Sequence, residues 1–372
     1  MVLLPLALIV VITVIDVLSP QDVHLGPLLV VAPAITASFA GAGLTVLVGL
    51  VSLAALLMIS VLHGGLSTSN HEAQLASLFV VSAVVVVYTA LRDRRARELV
   101  QVRSVAEAAQ RVLLRPLPPR MGSLRIASVY LAAEEEAQVG GDLYAAARTA
   151  GGIRLIVGDV RGKGLTSLGE AALLLGAFRA AAHLQAELPE LAAYLDGSVS
   201  WELAATADGE AEAAGSGQLE RSVGSGGSPE AGESFITAVV LDIPDDGSAI
   251  QLINCGHPPP LLLHEGRVVP LNSPRPAPPL GLGSLGGPVE SRYRPESFPF
   301  PPDGRLLVYT DGVIEARDVD HVFYPLTERL TAWNTDGPAD LLRHVRRDLL
   351  HHAGGHLRDD AALVAVERLP HP

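Results

Sequence analysis

The stretch that decides the fold is "GRLLVYTDGVIEARD", residues 304–318. Its apolar run at 306–308 has the composition of a buried β-strand, and the run gives way to Thr-Asp-Gly at 310–312. An Asp-Gly pair is ordinarily a turn signal. A second interpretation is that the strand delivers Asp311 to a binding site, and this interpretation requires that other carboxylates occur in the same context.

Three further strand edges carry aspartates in that context. "VGGDLY" (139–144) places an aspartate after two glycines, "LIVGDVRGKG" (155–164) ends an apolar run with Gly-Asp, and "LRDDAALVAV" (357–366) puts two aspartates before a β-like run. Glycine lets the backbone approach a ligand closely, and hard divalent cations bind carboxylate and carbonyl oxygens. Each aspartate alone has a structural explanation as a cap or a turn residue. Together, the four edges favour a divalent-cation site.

These stretches, with "NCGHPPPLLL" (254–263) and "PPLGLG" (278–283), follow one another in a fixed order. The series resembles the motifs of the SpoIIE-like branch of the PPM (type 2C) metal-dependent protein phosphatases, over roughly residues 108–368. The resemblance implies an α+β fold for a phosphatase domain at 119–369: a β-sandwich flanked by helices in an αββα arrangement. It also implies two divalent cations, Mn²⁺ or Mg²⁺, in a cleft at one end.

The resemblance also assigns roles by position. It places Asp159 as the carboxylate that bridges the two ions, with the carbonyl of Val160 as a further ligand. Asp311 and Asp359 fall where the second ion is held, and Asp142 occupies the remaining acidic position. Paired cations lower the pKa of a bridging water and neutralise charge on the phosphoryl group. These four aspartates are therefore the predicted catalytic residues, and with Val160 the predicted metal ligands.

Other positions near these motifs are expected to bind substrate or to support the ligands. Gly141, Gly312 and Asp360 are neighbours of the predicted ligands. Arg161 stands where eukaryotic relatives carry a histidine, and either it binds phosphate or it is a solvated loop residue. His257 is either a structural residue near the cleft or an acid catalyst.

The first part of the chain has a different composition. Apolar residues make up 49% of the chain, its mean hydropathy is +0.34, and residues 1–91 contain no Lys or Arg. Apolar runs of near-spanning length predict an all-α transmembrane region of about four helices, with three as the alternative. The predicted spans are residues 2–18, 27–43, 45–62 and 74–91.

Charge predicts the orientation and excludes some functions. "RDRRAR" follows the fourth predicted span at once, and arginine just past a span marks the cytoplasmic side. We therefore expect a multi-pass protein of the cell membrane with a cytoplasmic catalytic domain. The chain has a net charge of −13, and the acidic part after residue 120 does not suit nucleic-acid binding. Cys255 is the only cysteine, which excludes an intramolecular disulfide.

Two segments connect or interrupt these parts. Residues 92–118 form a juxtamembrane linker whose apolar positions recur at helical spacing. The helix either packs on its own domain or acts as a signalling helix that forms a homodimer. Residues 205–233 are poor in large apolar side chains, so we expect a disordered insertion. The apolar positions of the linker are Leu99, Val102, Val105, Ala109, Val112 and Leu113.

The sequence thus predicts a membrane-anchored, metal-dependent protein serine/threonine phosphatase. Members of this branch act on phosphorylated regulatory proteins of the anti-sigma-factor antagonist type, so the resemblance implies a role in sigma factor regulation. One alternative is a degenerate phosphatase that serves as a membrane-tethered interaction module. Another is a hydrolase of a small phosphate ester. The presence of all four aspartates favours an active enzyme.

Overall fold

The structure is a computed structural model, and the chain divides into two compact units, Met1–Val102 and Arg103–Pro372. Each unit is described by itself. The residues that the structure describes are 3–19, 25–62, 69–133, 140–216, 234–245, 249–282, 288 and 292–369.

The first unit is helical. Its helices are α1 (Leu3–Leu18), α2 (Val31–Phe39), α3 (Ala42–Leu62) and the part of α4 (Ser69–Leu113) up to Val102, and a 3₁₀ turn at Gly26–Val30 precedes α2. Within the described residues, Ala42–Leu62 and the Glu72–Glu98 part of α4 are long and apolar enough to cross a membrane.

The described residues therefore contain two helices of spanning length, fewer than the four spans predicted. Helix α1 has 16 residues, which rise about 24 Å and fall short of a hydrocarbon core of about 30 Å. The span predicted at 27–43 is interrupted because Ala40 takes an extended backbone conformation that ends α2.

Helix α4 continues without a break from its apolar part to Leu113. The helical conformation predicted for the juxtamembrane segment is thus present as far as that residue. The side chains of Leu99, Val102 and Val105 lie outside the described ones, so the roles of signalling helix and homodimer contact stay predictions.

The second unit is built on eleven described strands, all paired antiparallel. One sheet has the order β1-β2-β11-β10-β7-β8 and the other the order β3-β4-β5-β6-β9. The strands are β1 (Arg120–Met121), β2 (Leu124–Leu131), β3 (Leu143–Arg148), β4 (Gly152–Val160), β5 (Ile236–Pro244), β6 (Ala249–Cys255), β7 (Leu261–His264), β8 (Arg267–Pro270), β9 (Glu296–Pro299), β10 (Arg305–Tyr309) and β11 (Ala361–Arg368).

Helices cover both outer faces of this sandwich. In β10, Leu306 and Val308 pack in the core between the sheets, whereas Leu307 and Tyr309 pack on the outer side. This alternation follows from the two-residue period of a strand, and it explains why the run at 306–308 is apolar on both faces. The helices of this unit are α5 (Leu165–Ala181), α6 (Leu188–Ser216), α7 (Asp311–Ile314), α8 (Leu326–Leu330) and α9 (Pro338–His352).

The predicted fold class is confirmed by this layering. Helices α5 and α6 contribute side chains to the same core as the five-stranded sheet, and α9 packs on the outer face of the six-stranded sheet. The order of layers is therefore helix, sheet, sheet, helix.

The first part of the insertion predicted at 205–233 is helical rather than disordered. Helix α6 continues through Ser216, so residues 205–216 are helical in the structure. The prediction relied on the low content of large apolar residues, but this part is rich in alanine and glutamate, which are strong helix formers. Residues 217–233 lie outside the described ones.

Candidate active site

The pairing of β10 with β11 brings two of the predicted motifs to one sheet edge. Tyr309 at the end of β10 lies opposite Leu363 near the start of β11. Asp311 follows β10 and Asp359 precedes β11, so the antiparallel pairing places both carboxylates at the same end of the six-stranded sheet.

The other two motifs meet in the same way on the five-stranded sheet. Leu143 at the start of β3 pairs with Gly158 in β4, which places Asp142 beside Asp159. Both sheets present these ends to one cleft of about 370 Å³. Its lining residues are Gly140, Gly141, Asp142, Asp159, Val160, Arg161, Gly162, Lys163, Phe235, Thr237, Asp311, Asp359 and Asp360.

The structure thus brings together all four predicted aspartates and Val160. Of the supporting residues, Gly141, Arg161 and Asp360 line the same cleft. Gly312 borders a neighbouring cavity of about 430 Å³, which also contacts Asp359.

Asp142 is the most deeply buried of the four aspartates. Its side chain is 3% exposed, and the hydroxyl of Thr310 donates a hydrogen bond of 2.7 Å to Oδ2. The same hydroxyl accepts a bond of 2.8 Å from the backbone N–H of Ala362. Thr310 therefore joins a carboxylate of one sheet to the backbone of the other. Sequence reasoning missed this residue, although its place directly before Asp311 was a usable signal.

The carboxylates of the cleft disfavour one another's charged forms. Burial, and then the charge of Asp159, raise the pKa of Asp142 well above its ordinary value. Burial raises the pKa of Asp159 to about 7, with further contributions from Asp311 and Asp359. Burial and the charge of Glu315 raise the pKa of Asp311. A bound cation would offset this repulsion, so the charge of the cleft fits a divalent metal ion.

The carboxylates are also held by protein donors. Lys163 Nζ lies 3.5 Å from Oδ1 of Asp359, and the backbone N–H of Ala133 donates a 2.6 Å bond to Asp360. Among the described residues, no three His, Cys, Asp or Glu side chains form a group that could hold a metal ion. The donor types at the cleft suit Mg²⁺ or Mn²⁺. The metal-ligand roles stay predictions.

The glycines of the cleft motifs permit close approach of chain to chain. A Cβ on Gly141 would lie 2.5 Å from the carbonyl oxygen of Val160, and one on Gly312 would lie 1.8 Å from that of Asp360. The sequence interpretation expected these glycines to leave room for a ligand. In the structure they let neighbouring backbone segments contact one another beside the carboxylates.

His257 lies behind the cleft wall. Its Nδ1 is 3.2 Å from the hydroxyl of Thr237, which lines the cleft, and the side chain of Asn254 bonds both its backbone N–H and its carbonyl at 2.8 Å. Burial lowers the pKa of the imidazole to about 3, so the ring is neutral near pH 7. These contacts favour the structural interpretation of His257 over the acid catalyst.

Two cationic side chains lie on the loop that follows β4. The guanidinium of Arg161 stacks over Phe235 with its carbon 5.1 Å from the ring centre, and its backbone N–H donates to the Phe235 carbonyl at 3.0 Å. Lys163 pairs with Asp359 as described above. Both cations line the cleft next to the carboxylates, so positive and negative charge meet at its wall.

Comparison with known proteins places the chain in a family. Residues 149–369 match the model of a family described as Stage II sporulation protein E (SpoIIE), which is more than half of the 372 residues. The matched region contains Asp159, Asp311 and Asp359 and begins after Asp142.

Two curated proteins and one solved structure are similar over parts of their length. "Phosphoserine phosphatase RsbP" of Bacillus subtilis is 29% identical over 140 residues, 37% of this chain and 32% of RsbP. "Protein IcfG" of Synechocystis is 32% identical over 134 residues, 35% of this chain and 20% of IcfG. The SiaA-PP2C domain of Pseudomonas aeruginosa superposes with a TM-score of 0.50 at 14% identity, covering 75% of this chain and 98% of that domain. The matches to the curated proteins span a third or less of their lengths.

Proposed function

The chain belongs to the SpoIIE family of PPM-type (type 2C) phosphatases, and from this membership we propose that it is a metal-dependent protein serine/threonine phosphatase. One observation carries the proposal: a single cleft between the two sheets collects Asp142, Asp159, Asp311 and Asp359, whose carboxylate oxygens are the donor type that divalent cations bind.

Each part of the cleft has a proposed role. Asp159, Asp311, Asp359 and the carbonyl of Val160 would hold two divalent cations, Mn²⁺ or Mg²⁺, with Asp142 at the remaining acidic position. When bound, such ions neutralise phosphoryl charge and make water a stronger nucleophile. The protein contributes the positions of its ligands, fixed by the strand pairing of both sheets.

The other polar residues near the cleft have proposed roles in binding the phosphate and in proton transfer. Arg161 and Lys163 line the cleft and can pair with phosphate oxygens, which would draw a phosphoserine towards the carboxylates. His257 is buried and neutral, so it is not suited to protonate the leaving hydroxyl. We therefore assign that proton to water.

The substrate proposal comes from the relatives. RsbP is named a phosphoserine phosphatase, so we propose phosphoserine and phosphothreonine on a regulatory protein of the anti-sigma-factor antagonist type. The acidic net charge of −13 argues against a nucleic-acid partner.

A second candidate is a degenerate phosphatase that acts as a membrane-tethered interaction module, and a third is a hydrolase of a small phosphate ester. The full chain in detergent solution separates them. We expect phosphate release from a phosphoserine peptide only with added Mn²⁺ or Mg²⁺, and none in excess chelator. Persistence of the activity in chelator would contradict the metal-dependent mechanism. An inert protein would favour the interaction module, and hydrolysis of 4-nitrophenyl phosphate without the peptide would favour the small-ester hydrolase.

We further propose that the first unit anchors the protein in the cell membrane. Among the described residues, helix α3 and the apolar part of α4 are the helices of spanning length. Arg92 of α4 donates to the carbonyl of Ala37 at 2.7 Å, and Asp93 accepts from the backbone N–H of Ala42 at 3.0 Å. These contacts put Arg92 beside the turn between α2 and α3. The arginine cluster, which consists of Arg92, Arg94, Arg95 and Arg97, therefore lies at the same end of α3 as this turn. A hairpin of α3 and α4 would then have both ends on the cytoplasmic side.

A reporter fusion tests this orientation. Alkaline phosphatase, which is active only outside the cytoplasm, is expected to be inactive when fused after Pro372 and active when inserted after Leu62, between the two spans. Because the arginine cluster sets the orientation, the two fusions should differ at equal expression levels. An active fusion after Pro372 would refute the cytoplasmic location, and equal activity of both fusions would refute the hairpin.

A further inference from the structure

A buried polar chain leads from the last turns of α4 to the cleft. Gln110 is 5% exposed, and its side-chain Nε2 donates to the hydroxyl of Tyr130 at 2.5 Å. The same nitrogen lies 3.5 Å from the carbonyl oxygen of Gly140. Gln110 thus contacts β2 and the segment that delivers Asp142, although it is not among the residues that line the cleft.

The second member of this chain holds a carboxylate. The hydroxyl of Tyr130 lies near the carboxylate of Asp360, and burial raises the pKa of the tyrosine, so the phenol keeps its proton and can donate to this carboxylate. The backbone N–H of Ala133 donates to Oδ1 of Asp360 at 2.6 Å. The buried side chain of Asp360 is therefore held by one backbone donor and faces the Tyr130 hydroxyl.

Asp360 in turn contacts both sides of the predicted metal site. Its backbone N–H donates to Oδ1 of Asp359 at 3.0 Å. Its Oδ2 is packed so closely on Gly140 that a Cβ there would lie 1.3 Å away. The polar chain therefore touches the Gly140–Asp142 segment of one sheet and the Asp359–Asp360 segment of the other.

We propose that Gln110 and Tyr130 are positioning residues that set the spacing between the carboxylates of the two sheets, and thereby the affinity of the cleft for divalent cations. This inference rests on the proposed metal-dependent function. Without the Tyr130 hydroxyl, the side chain of Asp360 could move. The Gly140–Asp142 and Asp359–Asp360 segments, which both contact Asp360, could then move apart. Since neither residue is among those that line the cleft, we expect the effect on metal binding rather than on the chemical step.

The test compares Tyr130→Phe with a matched control, Tyr324→Phe, in the full chain. Tyr324 also donates to a carboxylate, that of Asp348 at 2.8 Å, but it packs on the outer side of the six-stranded sheet. Each variant removes one hydroxyl that faces a carboxylate, and Tyr130→Phe also removes the acceptor of the Gln110 bond. The free energy of unfolding of both variants is therefore measured beside metal affinity. Mn²⁺ affinity is measured by titration calorimetry, and phosphopeptide hydrolysis is followed as a function of Mn²⁺ concentration.

For Tyr130→Phe we expect a Kd for Mn²⁺ about tenfold higher, which corresponds to about 1.4 kcal/mol, with kcat at saturating Mn²⁺ within about twofold of wild type. Tyr324→Phe should leave both quantities unchanged. Equal Mn²⁺ affinity in the two tyrosine variants overturns the proposal, as does a Tyr130→Phe variant that loses kcat at saturation with unchanged affinity.

A second variant keeps the test decisive if Tyr130→Phe does not fold. Gln110→Leu removes the donor to Tyr130 while it keeps an apolar stem of similar size, and it should also raise the Kd for Mn²⁺. Where Tyr130→Phe does fold, the double variant should lower the free energy of Mn²⁺ binding by less than the sum of the two single changes, because Gln110 acts in part through Tyr130. Fully additive effects would refute a shared chain. A wild-type protein that binds no Mn²⁺ would instead refute the proposed function itself.

Discussion

Replacing Asp159 by asparagine is expected to lower kcat/KM for a phosphoserine peptide by about 10³-fold, a loss of about 4 kcal/mol of transition-state stabilisation. Asp159 lies near the end of β4, beside Asp142. Burial and the charges of Asp311 and Asp359 raise its pKa. Asparagine keeps the shape of the side chain but removes a charged ligand from the predicted bridging position. The effect should therefore appear in catalysis rather than in folding.

The fold is expected to survive this substitution. Burial and three neighbouring carboxylates raise the pKa of Asp159, so its charge costs free energy in the metal-free protein. Thermal unfolding in chelator should occur at the same temperature as in wild type or higher. Asp340→Asn, at an exposed position in α9, is the matched control and should leave turnover unchanged. An Asp159→Asn variant that kept more than about a tenth of the wild-type rate would show that the ligands are misassigned.

The meeting of the four aspartates in one cleft could be predicted because each of them stands at a strand edge. The apolar run before Asp311 and the one after Asp360 are both buried strands in the structure. A buried strand fixes the position of the aspartate at its end. Antiparallel pairing then brings these edges together. Local sequence therefore carried most of the information on the site.

The contacts that hold the site could not be predicted, because they join residues far apart in the chain. Thr310 bonds Asp142 across 168 positions, and Ala133 bonds Asp360 across 227 positions. Nothing in the sequence near Gln110 indicates that it meets Tyr130. The first unit shows the opposite limit. Apolar composition predicted four spans, but because of the backbone of Ala40 and the length of α1, only two of the described helices are of spanning length.

Replacing Gly312 by alanine is expected to lower both stability and turnover. The new Cβ would lie 1.8 Å from the carbonyl oxygen of Asp360 and 2.9 Å from its carbonyl carbon. Because these are backbone atoms, no side-chain rotation can relieve the clash. The segment 310–312 must instead move away from β11. We expect a loss of about 3 kcal/mol in the free energy of unfolding, at the upper end for an overpacked site.

The loss of turnover should be larger than the loss of stability suggests. Movement of 310–312 would stretch the bond between Thr310 and Ala362 and would shift Asp311 away from Asp359. A displacement of about 1 Å in a catalytic site commonly costs about 10²-fold in rate, and that is the decrease expected in kcat/KM. Thermal unfolding and phosphopeptide hydrolysis at saturating Mn²⁺ measure the two effects.

Gly169→Ala provides the control for a glycine in the same domain. Gly169 is within α5, and a Cβ there meets no atom within 4 Å, so alanine should stabilise the helix by about 0.5 to 1 kcal/mol. Turnover of this variant should equal that of wild type. If Gly312→Ala behaved like Gly169→Ala, the close approach of residues 310–312 to Asp360 would not be what holds Asp311 at the cleft. The requirement for glycine beside Asp311 would then have to come from the bound phosphate or metal, as the sequence motif alone first indicated.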